Sequence, residues 1–142
     1  MIILSRTQLE TIERAAEAAY PAEACGLIVG IQNESGDRLV SEVIPSLNIL
    51  ADERADRFEV DPQVRIDTER RIRGTDMALI GHYHTHPDHP AAPSETDRAM
   101  AFEPNLVWLI TSVTDGKAAD TRAFRLAVDQ PDMEELELRI VK

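Results

Sequence analysis

The chain has 142 residues, of which 43% are hydrophobic and 29% are charged, and its formal net charge is −11. This length is sufficient to bury a core, so we expect residues 1–142 to form a single domain. The negative charge argues against nucleic acid or an anionic membrane as the main partner.

Cysteine content and hydropathy indicate where the protein works. Cys25 is the only cysteine, which rules out an internal disulfide and is typical of a reducing, cytoplasmic location. We expect Cys25 to pack as a small hydrophobic residue. Met1 to Leu4 are apolar, but polar residues follow at once, so we expect no signal peptide. No apolar run approaches the ~20 residues of a membrane-spanning helix.

The first predicted element is an amphipathic helix. Ser5 and Gln8 have the spacing of a capping box. The apolar face that follows at helical spacing consists of Leu9, Ile12, Ala15, Ala16 and Ala19. Tyr20-Pro21 ends this helix, because the residue before a proline avoids helical geometry.

A β-hairpin and a second helix are predicted next. Leu27 to Val29 form an apolar run typical of a buried strand, and the turn residues 33–37 join it to a second strand around Leu39 to Ile44. The polar segment from Ser46 to Arg57 predicts a surface loop able to move over a site. Asp61-Pro62 then begins a helix that runs to about Arg73 and ends at Gly74.

The stretch around His84 carries the chemistry. The apolar run Met77 to Ile80 predicts a buried strand. If this strand continues through His86, then His84 and His86 point to the same side, with Cα atoms roughly 6.6 Å apart. Prolines stiffen the following loop, and Ser94 then begins a short helix with Asp97 one turn in, on the same face. Two imidazoles and one carboxylate suit zinc and leave a fourth position open.

Other interpretations of these residues remain open. His82 precedes His84 by two residues, so a set of His82, His84 and His86 is a rival for the metal. Ser94 and Asp97 also match a simple helix start. His89, in the proline-rich loop, is expected to be exposed or to contact a substrate. Glu23 stands just before an apolar strand, where an acidic residue is unusual.

The C-terminal third predicts further strands. Leu106 to Ile110 form a buried strand, and Asp115-Gly116 predicts a hairpin turn. In the returning strand, apolar residues stand at every second position, at Phe124, Leu126 and Val128. The same alternation of apolar and polar residues occurs at Leu136, Leu138 and Ile140 in the final strand, which we expect at a sheet edge. The fold is therefore predicted to be mixed α/β, with about six strands, two longer helices and one short helix.

The combined motif resembles a known family. His84-x-His86-x7-Ser94-x2-Asp97, with Glu23-x2-Gly26 upstream, is similar to the JAMM (MPN+) zinc metalloproteases. The surrounding residues, namely Pro21-x-Glu23-x-Cys25-Gly26-Leu27 and Ala92-Pro93-Ser94, resemble the small, free-standing bacterial members. The resemblance implies a partly curled mixed sheet flanked by helices, a fold broadly like that of cytidine deaminases.

The resemblance also implies roles for individual residues. His84, His86 and Asp97 would hold zinc, and Glu23 would act on zinc-bound water as general base and then as general acid towards the leaving amine. Ser94 would donate a hydrogen bond to the oxyanion. The same Ser94 oxygen would also cap the helix, and the sequence does not decide which role dominates.

The substrate implied by this family is a ubiquitin-like protein. The bond cleaved would be a peptide or isopeptide bond after its C-terminal Gly-Gly, and for compact bacterial members the favoured partner is a sulfur-carrier protein. The alternative is a non-catalytic MPN-type interaction module, a role of members that lack the metal ligands. A zinc deaminase would need a Pro-Cys-x-x-Cys motif, which a chain with Cys25 alone does not contain.

Overall fold

The computed structural model describes residues 1–53, 57–99, 101, 103, 105–126 and 132–142. The strands in these residues are β1 (Ile2–Ser5), β2 (Cys25–Gln32), β3 (Arg38–Ser46), β4 (Ala78–Pro87), β5 (Val107–Thr114), β6 (Lys117–Leu126), β7 (Met133–Leu136) and β8 (Leu138–Val141). The helices are α1 (Arg6–Ala19), α2 (Pro62–Ile72) and α3 (Glu95–Ala99). No helix in the described ranges has the length and apolar character needed to cross a membrane.

All eight strands belong to one mixed sheet, in the order β7-β6-β5-β4-β2-β3-β1-β8. β4 lies near the middle, antiparallel to β2 and parallel to β5. β7 and β8 are at opposite ends of this order, yet only Glu137 separates them along the chain. Because consecutive Cα atoms are about 3.8 Å apart, the two ends of the sheet approach each other. The sheet is therefore curled, as the family resemblance implied.

Both faces of the central strands are covered. On one face the side chains of Tyr83, Val107 and Leu109 pack with α1 and β1 in the larger core cluster. On the other face Trp108 and Ile110 pack with smaller apolar side chains from β6 and the loop before α3. Burial on both faces explains why β5 is apolar at successive residues and does not alternate with polar ones.

The helix caps follow the predicted chemistry. Ser5 Oγ accepts from the backbone N–H of Gln8 at 3.1 Å, and Gln8 Oε1 accepts from that of Ser5 at 2.8 Å, which completes the capping box of α1. Asp61 Oδ1 accepts from the N–H of Gln63 at 2.9 Å at the start of α2. Gly74, just beyond α2, has a φ of +82°, a conformation that favours glycine.

A β-bulge in β4 sets the direction of its histidines. Pairing with β2 passes from Ile28↔Gly81 to Val29↔Leu79, which leaves Ile80 without a partner in that ladder. An extra residue of this kind reverses the alternation of side chains beyond it. Ile80 and Tyr83 consequently both belong to the larger core cluster, and His82, two residues beyond Ile80, lies on the opposite face.

The structure corrects two parts of the sequence analysis and does not test a third. There are eight strands among the described residues, not about six, because Ile2–Ser5 forms β1, parallel to β3 and β8. The predicted final strand is divided at Glu137 into β7 and β8, which pair with β6 and β1 respectively. The predicted alternation at Val128 lies outside the described residues.

The backbones of β4 and β5 approach closely at Gly81, so a substitution there tests the pairing of these two strands. A Cβ atom at Gly81 would lie 2.1 Å from the carbonyl oxygen of Val107 on β5. We expect Gly81→Ala to lower the free energy of unfolding by about 3 kcal/mol, since β4 and β5 must separate to admit the methyl group. Urea unfolding followed by circular dichroism measures this change.

The matched control is Gly36→Ala, in the turn between β2 and β3. A Cβ atom there meets no atom within 4 Å, although φ is +88°. The expected loss is only about 1 kcal/mol, from the left-handed conformation itself. Equal losses for the two variants would contradict the described contact between β4 and β5.

Candidate metal and catalytic site

Three buried polar atoms meet on the surface of β4 away from the larger core. The Nε2 atoms of His84 and His86 are 3.2 Å apart. Oδ2 of Asp97 lies 3.1 Å from the first and 2.9 Å from the second. All three residues are at most 5% exposed. The structure thus brings together His84, His86 and Asp97, as the sequence predicted.

Three local features produce this convergence. His84 and His86 share a face of β4 because they are two residues apart beyond the bulge. The loop that follows turns back so that the Pro90 carbonyl oxygen lies 2.8 Å from Nδ1 of His86. At the start of α3 the backbone N–H of Ser94 donates to Oδ2 of Asp97 at 3.0 Å. The Asp97 carboxylate is therefore held at the helix start and directed towards both rings.

The hydrogen-bonding capacities of these groups favour a cation between them. A carbonyl oxygen only accepts, so Nδ1 of His86 must carry the proton it donates to Pro90. In the neutral ring Nε2 then presents a lone pair to an equally electron-rich carboxylate oxygen of Asp97. A tetrahedral ion about 2.0–2.1 Å from its ligands separates them by roughly 3.3 Å, close to the distances observed. The donor set therefore fits a metal ion.

The pKa values of the three groups reflect the same contacts. Burial lowers the pKa of His84 below its usual range, and Asp97 only partly offsets this effect. Burial also opposes protonation of His86, but hydrogen bonds with Asp97 and Pro90 raise its pKa overall. Burial would raise the pKa of Asp97, yet the two histidines hold it well below its usual range. Asp97 is therefore a carboxylate at neutral pH.

Glu23 adds a second buried carboxylate beside the histidines. It is 5% exposed, and one of its carboxylate oxygens lies within 4.8 Å of a ring nitrogen of both His84 and His86. The adjacent residue Ala24 is fixed to β4, because its N–H donates to Thr85 Oγ1 at 2.8 Å and its carbonyl accepts from the Thr85 N–H at 3.1 Å. Glu23 is thus held next to the two rings at the start of β2.

A cavity of about 600 Å³ opens from these groups to solvent. The residues that line it are Pro21, Glu23, His86, Pro87, Asp88, His89, Pro90, Ala92, Pro93, Ser94 and Thr96. Four of them are prolines, whose fixed φ angles give the walls little freedom. His89 is exposed at this cavity, as expected for a loop residue.

Ser94 can serve the helix and the cavity together. Its Oγ accepts from the Asp97 N–H at 3.0 Å, which caps α3. A hydroxyl group has one donor and two acceptor sites, so this bond does not consume the hydroxyl proton. Ser94 also lines the cavity. The conflict between cap and donor expected from the sequence therefore does not arise.

His82 lies beside the site but is not joined to it. Its ring packs on Trp108, with centroids 4.6 Å apart, and lines a separate cavity of about 220 Å³. Its buried Nδ1 has no hydrogen-bond partner within the part of the chain that the structure describes. Burial lowers the pKa of His82 to about 3, so the ring is neutral.

Two further residues contact the site, and the sequence analysis did not identify them. The Phe58 ring stacks on that of His84, with centroids 4.3 Å apart and an interplanar angle of 13°. The side chain of Asn48 donates to the backbone carbonyl of Glu23 at 2.9 Å. Asn48 belongs to the polar segment without periodicity, and Phe58 directly follows that segment. A lone aromatic residue shortly before the Asp61-Pro62 helix start was the available signal for Phe58.

Comparison with known proteins identifies relatives that cover most of the chain. A desampylase of Haloferax volcanii is 36% identical over 97 residues, which are 68% of this chain and 66% of that protein, just under two thirds of its length. A CysO-cysteine peptidase of Mycobacterium tuberculosis is 30% identical over 111 residues, covering 78% of this chain and 73% of that protein.

Structural and family comparisons agree with these relatives. A JAB1/MPN domain protein from Archaeoglobus fulgidus superposes with a TM-score of 0.62 at 23% identity, covering 100% of both chains, and so has the same fold. The family model described as prokaryotic homologs of the JAB domain matches residues 5–127. This match spans the candidate site from Glu23 to Asp97, and the chain therefore belongs to the prokaryotic JAB (JAMM/MPN) family.

Proposed function

We propose that this protein, acting as one JAMM/MPN+ domain, is a zinc metallopeptidase that hydrolyses a peptide or isopeptide bond after the C-terminal Gly-Gly of a ubiquitin-like protein. The observation that carries the proposal is the buried meeting of His84, His86 and Asp97 beside Glu23. The family and the names of the desampylase and CysO-cysteine peptidase relatives support the substrate class. Within that class, a sulfur-carrier protein is the substrate we favour.

His84, His86 and Asp97 would hold the zinc. Two nitrogens and one oxygen are ligand types that catalytic zinc sites use, with a further position left open. When bound, zinc supplies Lewis acidity, which lowers the pKa of water towards ~7 and polarises a carbonyl group. The Pro90 carbonyl serves as the outer partner that sets the His86 tautomer.

Glu23 and Ser94 would carry out the proton transfer and the stabilisation of charge. The Glu23 carboxylate takes a proton from the attacking water and delivers it to the leaving amine nitrogen, first as base and then as acid. The Ser94 hydroxyl donates to the oxygen of the scissile carbonyl as negative charge develops there. Both residues line the same proline-walled cavity, where the scissile bond would lie.

Metal binding provides the first test of the ligand assignment. We expect the purified protein to bind about one zinc per chain and Asp97→Ala to lose most of it, because a three-residue site loses its only carboxylate ligand. His82→Ala should keep its zinc, since His82 makes no hydrogen bond to this cluster within the described residues. Metal content by mass spectrometry measures both. Full zinc in Asp97→Ala together with loss in His82→Ala would support the three-histidine alternative.

Glu23→Gln separates catalysis from metal binding. The amide keeps the size of the side chain but cannot accept the proton, so we expect turnover to fall by at least ~10²-fold. The loss should lie mainly in kcat, with zinc content and fold unchanged, because the missing interaction belongs to the transition state. Single-turnover cleavage with zinc measured in the same sample tests this. Equal rates at equal zinc would remove Glu23 from the mechanism.

The substrate proposal is tested with candidate carriers. We expect zinc-loaded protein to cleave a ubiquitin-like carrier extended beyond its Gly-Gly, either by a single residue or by an isopeptide-linked lysine, and to leave Gly-Gly as the new C-terminus. Intact-mass spectrometry identifies the product. A chelator should abolish cleavage and added zinc should restore it. Unchanged carrier mass with fully loaded protein would favour the non-catalytic interaction module.

A further inference from the structure

We propose that Asn48 is a positioning residue that ties Glu23 and Phe58 to one another and so sets both against the His84 side of the candidate site. The expected effect on turnover rests on the proposed function. The claim that Asn48 fixes the backbone at Glu23 and on both sides of Phe58 rests only on the contacts of Asn48. Asn48 lies in the segment between β3 and α2 and forms an isolated bridge with Val60 at the far end of that segment.

The Asn48 side chain uses its whole hydrogen-bonding capacity. Its Nδ2 donates to the carbonyl oxygens of Glu23 at 2.9 Å and Arg57 at 3.0 Å. Its Oδ1 accepts from the N–H groups of Leu50 and Glu59, each at 3.0 Å. A side-chain amide offers two donors and two acceptor sites. These four bonds join Glu23, two residues before β2, to three backbone positions of a different segment.

Two of these bonds bracket Phe58. Asn48 holds the carbonyl of Arg57 on one side and the N–H of Glu59 on the other, so the backbone that bears Phe58 is fixed at both flanks. The Phe58 ring then lies nearly parallel to that of His84. Asn48 therefore determines where this ring sits over His84.

The two histidines are oriented by different means. Nδ1 of His86 donates to Pro90, whereas Nδ1 of His84 is buried with no hydrogen-bond partner within the described residues. Stacking with Phe58 therefore adds to the contact of Nε2 with Asp97 in orienting the His84 ring. Through the Glu23 carbonyl, the same amide also anchors the backbone of the proposed base. One side chain thus serves two parts of the site without touching either reacting group.

Asn48→Asp is the informative substitution, because aspartate has the same shape but lacks the two donors. It leaves the bonds from Leu50 and Glu59 possible and places a negative charge against the carbonyls of Glu23 and Arg57. The matched control is Asn33→Asp. Asn33 Oδ1 accepts from the Asp37 N–H at 2.9 Å and from Ser35 Oγ at 2.8 Å, in an exposed turn at the other end of β2.

Kinetics test whether Asn48 acts through Glu23. We expect Asn48→Asp to lower kcat by roughly 10- to 100-fold, the cost of small misplacement of a catalytic group, with zinc content and KM little changed. In a Glu23→Gln background the same substitution should cost less than about 3-fold, because coupled residues are not additive. Asn33→Asp should keep the kcat of the unmodified protein. An equal loss in both backgrounds would overturn the proposed action of Asn48 through Glu23.

Cys25 supplies a readout that needs no substrate. It is 1% exposed, and its Sγ lies 3.8 Å from the carbonyl oxygen of Leu47, next to Asn48. Because this thiol is buried, labelling by a thiol reagent should be slow. We expect Asn48→Asp to speed labelling at least ~10-fold, since the segment over β2 loosens, and Asn33→Asp to leave it unchanged.

The two assays separate the inference from the proposed function. If the unmodified protein cleaves no carrier but Asn48→Asp alone speeds the labelling of Cys25, the function fails and the positioning by Asn48 stands. If carrier cleavage is observed but Asn48→Asp changes neither kcat nor the labelling rate, the function stands and the role of Asn48 is overturned. Urea unfolding of both variants shows whether faster labelling exceeds that caused by global instability.

Discussion

The site depends on one electrostatic constraint, which is that two imidazole nitrogens and a carboxylate oxygen of buried side chains approach within 3.2 Å of each other. Lone pairs on adjacent buried atoms repel, and only a proton or a cation can occupy the space between them. The rest of the fold is arranged so that these atoms cannot separate. His84 and His86 are held by the central strand of the sheet, and Asp97 by the cap of α3.

The curled sheet divides its two faces between stability and chemistry. β4 presents Tyr83 to the larger core and the histidines to the opposite face, and this division follows from the bulge at Ile80. Antiparallel pairing with β2 brings Glu23 to the C-terminal end of β4. Parallel pairing with β5 requires a crossover connection, and α3 lies in that connection. Topology, more than any single contact, explains why residues distant in sequence meet here.

Local patterns in the sequence predicted the elements well, because caps, turns and periodicity are short-range effects. The capping box at Ser5 and Gln8 and the spacing of His84 and His86 are examples. Pairing partners are not encoded locally, so the alternation at Leu136, Leu138 and Ile140 predicted the exposed and buried faces but not the division at Glu137. Asn48 and Phe58 act through contacts with residues far away in the chain, and a polar segment without period gives no sign of such contacts.

The pairing of β1 with β8 has a consequence for how the protein acquires its fold. Ile2 lies beside Leu138 and Ser5 beside Val141, so β1, which also pairs with β3, receives its second neighbour only after residues 6–137 have been synthesised. Until then the outer side of β1 exposes unpaired backbone groups and can attract other extended chains. Contacts of such long sequence separation also slow folding. A newly made chain therefore exposes one edge of β1 until β8 has been synthesised and covers it.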